Sequence, residues 1–111
     1  MKAVVLTKPT ESTEIKITEY PMPAVKPGFV LVRIKSFGMN HSEQILRKSE
    51  ISAPYIQKPI IPGIECVGEI ADASDTAFTA GQKVIALMGG MGREFHGSYA
   101  EYVLLPILLP S

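Results

Sequence analysis

Apolar positions along this chain fall in short runs cut by proline and glycine. Lys2 to Leu6 is mostly apolar and closes at Thr7-Lys8-Pro9-Thr10, which predicts a first strand and turn. Glu14 to Tyr20 alternates, with Ile15, Ile17 and Glu19 on one side and Lys16 and Thr18 on the other. A period of two predicts a half-buried strand. Pro21, Pro23 and Pro27-Gly28 then break the pattern before Phe29 to Phe37, whose β-branched and aromatic content predicts the best strand of the chain. Asn40 to Lys48 changes character: Ser42 and Glu43 ahead of Ile45 and Leu46 suit a helix of two turns, with Asn40 as its cap. Ser49 to Pro62 holds three prolines without a clean period and reads as loop. The β pattern returns at 65–71, 83–88 and 98–105, and Phe78 is the expected apolar anchor of the turn-rich link from Asp72 to Gln82. The elements predict a mainly β fold, a small barrel or sandwich with one or two short helices.

With 111 residues there is room for one compact domain. Eleven basic residues balance eleven acidic ones. That balance argues against a nucleic-acid module, which carries a basic excess, and removes any broad attraction to an anionic membrane. The single cysteine, Cys66, excludes an intramolecular disulfide and a zinc site of paired cysteines. The opening residues lack a signal-peptide core, and no apolar run approaches the roughly 20 residues of a membrane span. The chain therefore reads as soluble and cytoplasmic. Its end, YVLLPILLPS, is unusually apolar: it either packs as a last strand or runs on into further chain, and the second reading is preferred.

Three segments carry candidate chemistry. Gly38-Met39-Asn40-His41-Ser42-Glu43 turns from strand to helix, where backbone N–H groups and polar side chains meet an anion or a carbonyl. From spacing alone, a helix cap with a solvated histidine is the plainer account. Pro62 to Gly68 places Glu65 and Cys66 at the start of a strand, where an edge-facing carboxylate is again the plainer account. Gly89 to Gly97 is glycine-rich, but its spacing is not that of a phosphate-cradling loop and no helical pattern follows. It reads as a flexible surface loop. His41, Glu43, Glu65, Cys66 and His96 are the residues a metal would use, but their spacing is not that of a ligand set, and no metal site is expected.

Taken in order, these segments resemble the amino-terminal catalytic domain of the medium-chain dehydrogenase/reductase superfamily, which includes zinc alcohol dehydrogenases and zinc-free quinone oxidoreductases. The matching pieces are MKAVVL at the start, PGFVLVRIK at 27–35, GMNHSE at 38–43, PIIPGIECVGEI at 59–70, FTAGQKV at 78–84 and GSYAEYV at 97–103. The series is specific where each piece is not. The resemblance implies an irregular GroES-like β-barrel over residues 1–111, with Phe78 plugging it. It also implies a following Rossmann domain for the cofactor, which these residues do not supply. The 111-residue chain by itself is then expected to be inactive.

The resemblance also bears on the site. Zinc alcohol dehydrogenases carry a cysteine ligand where this chain has Asn40 and a histidine ligand where it has Ile64. An amide oxygen is a poor substitute for a thiolate and isoleucine cannot ligate, so a zinc-free enzyme is implied. Asn40, His41 and Ser42 match positions beside the cofactor, which the resemblance gives as NADPH. Tyr55 is the only tyrosine in the loop after the helix, where some relatives keep a proton donor. The activity implied is hydride transfer to a quinone, enone or related conjugated carbonyl, which needs no Lewis acid when conjugation accepts the charge. Relatives often pair through the second domain, so a homodimer of the full-length protein is the partner implied. Two other readings stay open: a stand-alone GroES-like binding or assembly module, and a zinc alcohol dehydrogenase with altered ligands.

Overall fold

The computed structural model describes residues 1–87 and 90–107. Among them are six strands: β1 Lys2–Val4, β2 Ile17–Glu19, β3 Phe29–Phe37, β4 Glu65–Asp72, β5 Lys83–Leu87 and β6 Tyr102–Pro106. One helix, α1, covers His41–Lys48, and 3-10 turns lie at Ser12–Glu14 and Glu50–Ser52. β3 takes the bounds its composition predicts, and α1 begins one residue after the expected cap, Asn40.

β3 pairs antiparallel with both β4 and β6, and β4 pairs antiparallel with β5, giving a four-stranded sheet of order β5-β4-β3-β6. β1 and β2 form a separate two-stranded ribbon, held to the rest by single bridges from Ala3 to Ala100 and from Leu6 to Ile60. The fold is mainly β, as the alternation requires, but the two sheets do not close into a continuous barrel among the described residues. The ladder between β3 and β4 slips between Ile34 and Ser36. Gly68 faces that slip, and a Cβ there would run into the carbonyl oxygen of Arg33.

Two apolar clusters hold these parts. Val30, Val32, Cys66, Ile70 and Val103 alternate inward from β3, β4 and β6 to form the first. Leu6, Leu46, Ile51, Ile56 and Ile60 form the second, beneath α1. The second cluster corrects the reading of Ser49 to Pro62 as plain loop. Its three isoleucines are 4% exposed or less, yet they sit on irregular backbone that shows no period in sequence.

Three other expectations change. The second strand shortens to Ile17–Glu19 and is exposed throughout, with Ile17 72% exposed, because only β1 flanks it. Phe78 is exposed and belongs to neither cluster, so it plugs nothing. Gly90 to Gly97 is no surface loop: Met91, Gly92 and Gly97 are buried, and the segment folds back through a Gly92 N–H to Phe95 carbonyl bond of 2.9 Å. Its glycines let it lie against Gly63, since a Cβ on Gly92 or Gly97 would strike the Gly63 backbone. The apolar end does pack as a strand through Pro106; residues 108–111 lie outside the described residues, as do Met88 and Gly89. Among the described residues no helix is long and apolar enough to cross a membrane.

Candidate functional site

The strand-to-helix junction gathers several polar side chains into one bonded cluster. β3 ends at Phe37, opposite Cys66, so Glu65 at the head of β4 comes alongside Gly38 and Asn40. The Asn40 side-chain amide donates to Glu65 Oε1 at 3.3 Å. Asn40 also heads the helix: its backbone N–H donates to Glu43 Oε2 at 3.1 Å, and its carbonyl accepts from the Glu43 N–H at 3.1 Å. A carboxylate three residues into a helix reaches back in this way to quench N–H groups that lack helical partners. Ser42 Oγ donates to the same Glu43 oxygen at 3.0 Å. Glu43 is 6% exposed, and its Oε1 has no hydrogen-bond partner.

Asn40, Glu43, Gln44 and Arg47 follow the helical spacing of one face. That face lines a cleft of about 300 Å³ whose other wall holds Val4, Leu6, Pro62 and Tyr99. Arg47 does not pair with Glu43; its Nη1 donates to the Thr10 carbonyl at 2.9 Å. The Tyr99 ring lies against Phe37, centroids 4.7 Å apart. Burial pushes its phenol up from the usual value, and the Glu43 charge adds to this while Arg47 opposes it.

Behind the helix, Arg93 ties three elements together. Its Nη2 donates to the Ser42 carbonyl at 2.8 Å and its Nε to Glu50 Oε1 at 3.0 Å. Tyr55 donates its hydroxyl to the other Glu50 oxygen at 2.7 Å. Deprotonating that phenol would break the bond and set two negative charges together, so the Tyr55 pKa is raised, chiefly by the hydrogen bond. Tyr55 is 65% exposed and does not line the cleft. The sequence-derived candidates therefore divide. Asn40, His41 and Ser42 share the junction, whereas Tyr55 stands apart, linked to them only through Glu50 and Arg93.

His96 is a structural clip. The Ile61 N–H donates to its Nδ1 at 3.1 Å, which leaves the proton on Nε2, 2.9 Å from the Tyr20 hydroxyl. Burial holds its pKa below the usual imidazole value. Cys66 is buried, and burial pushes its thiol up to about 11. Among the described residues no three His, Cys, Asp or Glu side chains gather as a metal site.

Tyr99 and Arg93 are the site residues that pattern reading missed, whereas Glu43 was already part of the first candidate segment. The Asn-x-x-Glu spacing of a capping box pointed to Glu43; nothing local marked Tyr99 or Arg93, which arrive from more than 50 residues away.

The sequence profile described as "Alcohol dehydrogenase GroES-like domain" matches residues 26–108. The mouse protein "Synaptic vesicle membrane protein VAT-1 homolog-like" is 27% identical over 109 residues, covering 96% of this chain but 24% of its own length. The solved structure of an NAD-dependent alcohol dehydrogenase superposes with a TM-score of 0.82 at 26% identity, over 96% of this chain and 37% of that one. The quinone oxidoreductase of Coxiella burnetii superposes with a TM-score of 0.80 at 19% identity, over 96% and 34%, a likeness of fold alone. The chain thus spans about a quarter of the curated relative's length and about a third of the two solved chains.

Proposed function

Because this chain belongs to the alcohol dehydrogenase GroES-like domain family of the medium-chain dehydrogenase/reductases, we propose that it is the substrate-side domain of a nicotinamide-dependent, zinc-free oxidoreductase. The substrate class is a quinone, an enone or a related conjugated carbonyl, and the enzyme works in the cytoplasm. A following Rossmann domain carries NADPH, and the full-length protein pairs as a homodimer.

The observation that carries this reading is the bonding of Asn40. Its amide nitrogen is spent on Glu65 and its N–H on Glu43, and its side-chain oxygen faces the Glu43 N–H in the capping box, where the oxygen's second lone pair is still an acceptor. A carboxamide N–H of a nicotinamide is a suitable donor to it. His41, exposed in the first helical turn, and Ser42, whose hydroxyl donates to Glu43 and still accepts, complete the cofactor side. The donor set at this junction does not suit zinc, since an amide oxygen and the aliphatic Ile64 replace the two ligands expected there.

The nicotinamide supplies the hydride when bound; the chain's own residues orient and exclude water. Arg93 pins the Ser42 carbonyl and Glu65 pins the Asn40 amide, so both groups are held before a ligand arrives. Tyr55 keeps its proton at neutral pH and remains the proposed proton donor, although it stands outside the cleft and its hydroxyl donates to Glu50.

The first test is the intact mass of the native gene product from its source cells. A mass well above 12.1 kDa supports a two-domain enzyme. NADPH oxidation with a quinone panel should then fall in Asn40→Ala and Ser42→Ala, and elemental analysis should find no stoichiometric zinc. Wild-type kinetics in both variants would remove these residues from the site. A product of 12.1 kDa would instead favour a stand-alone GroES-like binding module.

A further inference from the structure

The four-stranded sheet ends at β5, and that edge is open among the described residues. β5 pairs with β4 in one unbroken register, from Glu65 opposite Leu87 to Glu69 opposite Lys83. Just beyond it, the Ile70 N–H donates to the Gln82 carbonyl at 2.9 Å. Bonded pairs alternate along an antiparallel ladder, so Val84 and Ala86 bond to β4 while Lys83, Ile85 and Leu87 turn their N–H and carbonyl groups to the open edge. Native sheets blunt such an edge with a proline, a bulge or an inward-pointing charge. β5 has none of these, and its one charge, Lys83, stands at the end away from Leu87.

The outer face beside this edge is apolar: Val67 on β4 and Ile85 and Leu87 on β5 are all exposed, with Phe37 beside them. A charge flanks the patch at each end. Glu65, opposite Leu87, has no ion pair among the described residues, and neither has Lys83, since Glu69 across from it is taken by Arg33 and Lys35. We propose that a second copy of this chain docks on β5, the two strands pairing antiparallel about a two-fold axis at Ile85. That register sets Ile85 against the partner's Ile85 and Lys83 against the partner's Leu87. It uses the outward hydrogen-bonding positions of both strands, merges the two four-stranded sheets into one and makes the apolar strips continuous. It also sets Lys83 two strands from the partner's Glu65, roughly 10 Å between backbones, which the two side chains span. The two-fold axis repeats that complementary pair. An extended peptide of another sequence would fill the hydrogen bonds but not both charges. The edge is short, so the association belongs to the weak, small-interface class. It goes beyond the full-length homodimer proposed above by placing a self-association surface in this domain, and it does not depend on the oxidoreductase reading.

The test is sedimentation equilibrium of the 111-residue protein over protein concentrations from about 10 μM to about 1 mM. A monomer–dimer equilibrium is expected. Ile85→Lys sets two ammonium groups against each other across the axis and should weaken it about tenfold or more. Ile17→Lys, on β2 at an isoleucine equally exposed (72% against 73%), should leave it unchanged. Ile85→Cys should cross-link on mild oxidation, because the Cα atoms of a bonded antiparallel pair lie about 5.5 Å apart, within disulfide reach. Wild type, whose one cysteine is the buried Cys66, should not. A protein monomeric throughout, or a dimer indifferent to Ile85→Lys, overturns the proposal. Should Ile85→Lys not fold, the cross-link decides alone, and its absence overturns the interface. A longer gene product is held to the same cross-link, and failure there overturns the interface for the native protein.

Discussion

Gly38 is a glycine because the Glu65 carboxylate occupies the space its side chain would take. A Cβ built on Gly38 would overlap Glu65 Oε1, the same oxygen that accepts the Asn40 amide. Its φ is not positive, so the requirement is room and not backbone freedom.

Gly38→Ala should therefore act through Glu65. The methyl group pushes the carboxylate off Asn40 and costs about 1–3 kcal/mol, the usual range for overpacking a filled site. Urea denaturation would measure the loss, and the pair Gly38→Ala with Glu65→Ala should cost less than the sum of the two. Additive losses would mean that the two residues do not meet.

Arg93 and Glu50 should be coupled. Their side chains are only 18% and 22% exposed, and the guanidinium also holds the Ser42 carbonyl. A double-mutant cycle with Arg93→Gln and Glu50→Gln should return about 1 kcal/mol, above what an exposed pair gives. A coupling indistinguishable from zero would reduce the pair to a surface contact.

His96 makes stability depend on pH with a definite sign. Burial lowers its folded-state pKa below the ordinary imidazole value of 6.5, so the unfolded chain binds the proton more readily. Its contribution is complete above the unfolded value and is lost as pH falls through 6.5 towards the folded one. Protonation also sets an N–H against the Ile61 N–H that Nδ1 now accepts. Thermal melts of wild type and His96→Gln between about pH 7 and pH 5 should converge as pH falls. Parallel curves would show that His96 titrates alike in both states.

Cys66 should be chemically silent in the folded protein. It is 2% exposed, and its thiol is pushed up to about 11, so little thiolate exists near neutrality. Iodoacetamide labelling should track unfolding in denaturant. Prompt stoichiometric labelling of native protein would place the thiol at the surface.

Some of this was legible in the residues alone. β3 could be read because nine consecutive residues with strong β character lie between a Pro-Gly turn and a glycine, and α1 because Asn40 and Glu43 carry a cap in four positions. Asn40, His41 and Ser42 are neighbours in sequence, so the helix start brought them together without any distant contact. Ile51, Ile56 and Ile60 escaped, since their burial comes from the underside of α1 and from Leu6 and not from a period of their own. Phe78 misled in the opposite sense: an aromatic in a turn-rich link looks like an anchor, but it is Ala73, not Phe78, that packs from this link against the first cluster.

By itself, then, the chain's order of residues determined its local elements and the family to which they belong, because strand pairing faces, turns and caps are decided within about ten positions. Only the tertiary structure decided what those elements enclose. Glu65 reaches Gly38 across the β3–β4 ladder, Arg93 reaches Ser42 from the folded-back glycine segment, and Tyr99 walls the cleft that holds Glu43. Each of these contacts spans at least 25 residues, as in the Asn40–Glu65 bond, and depends on which sheet edge meets which loop. No periodicity along a chain records that, since it is settled by packing between segments that carry no mark of one another.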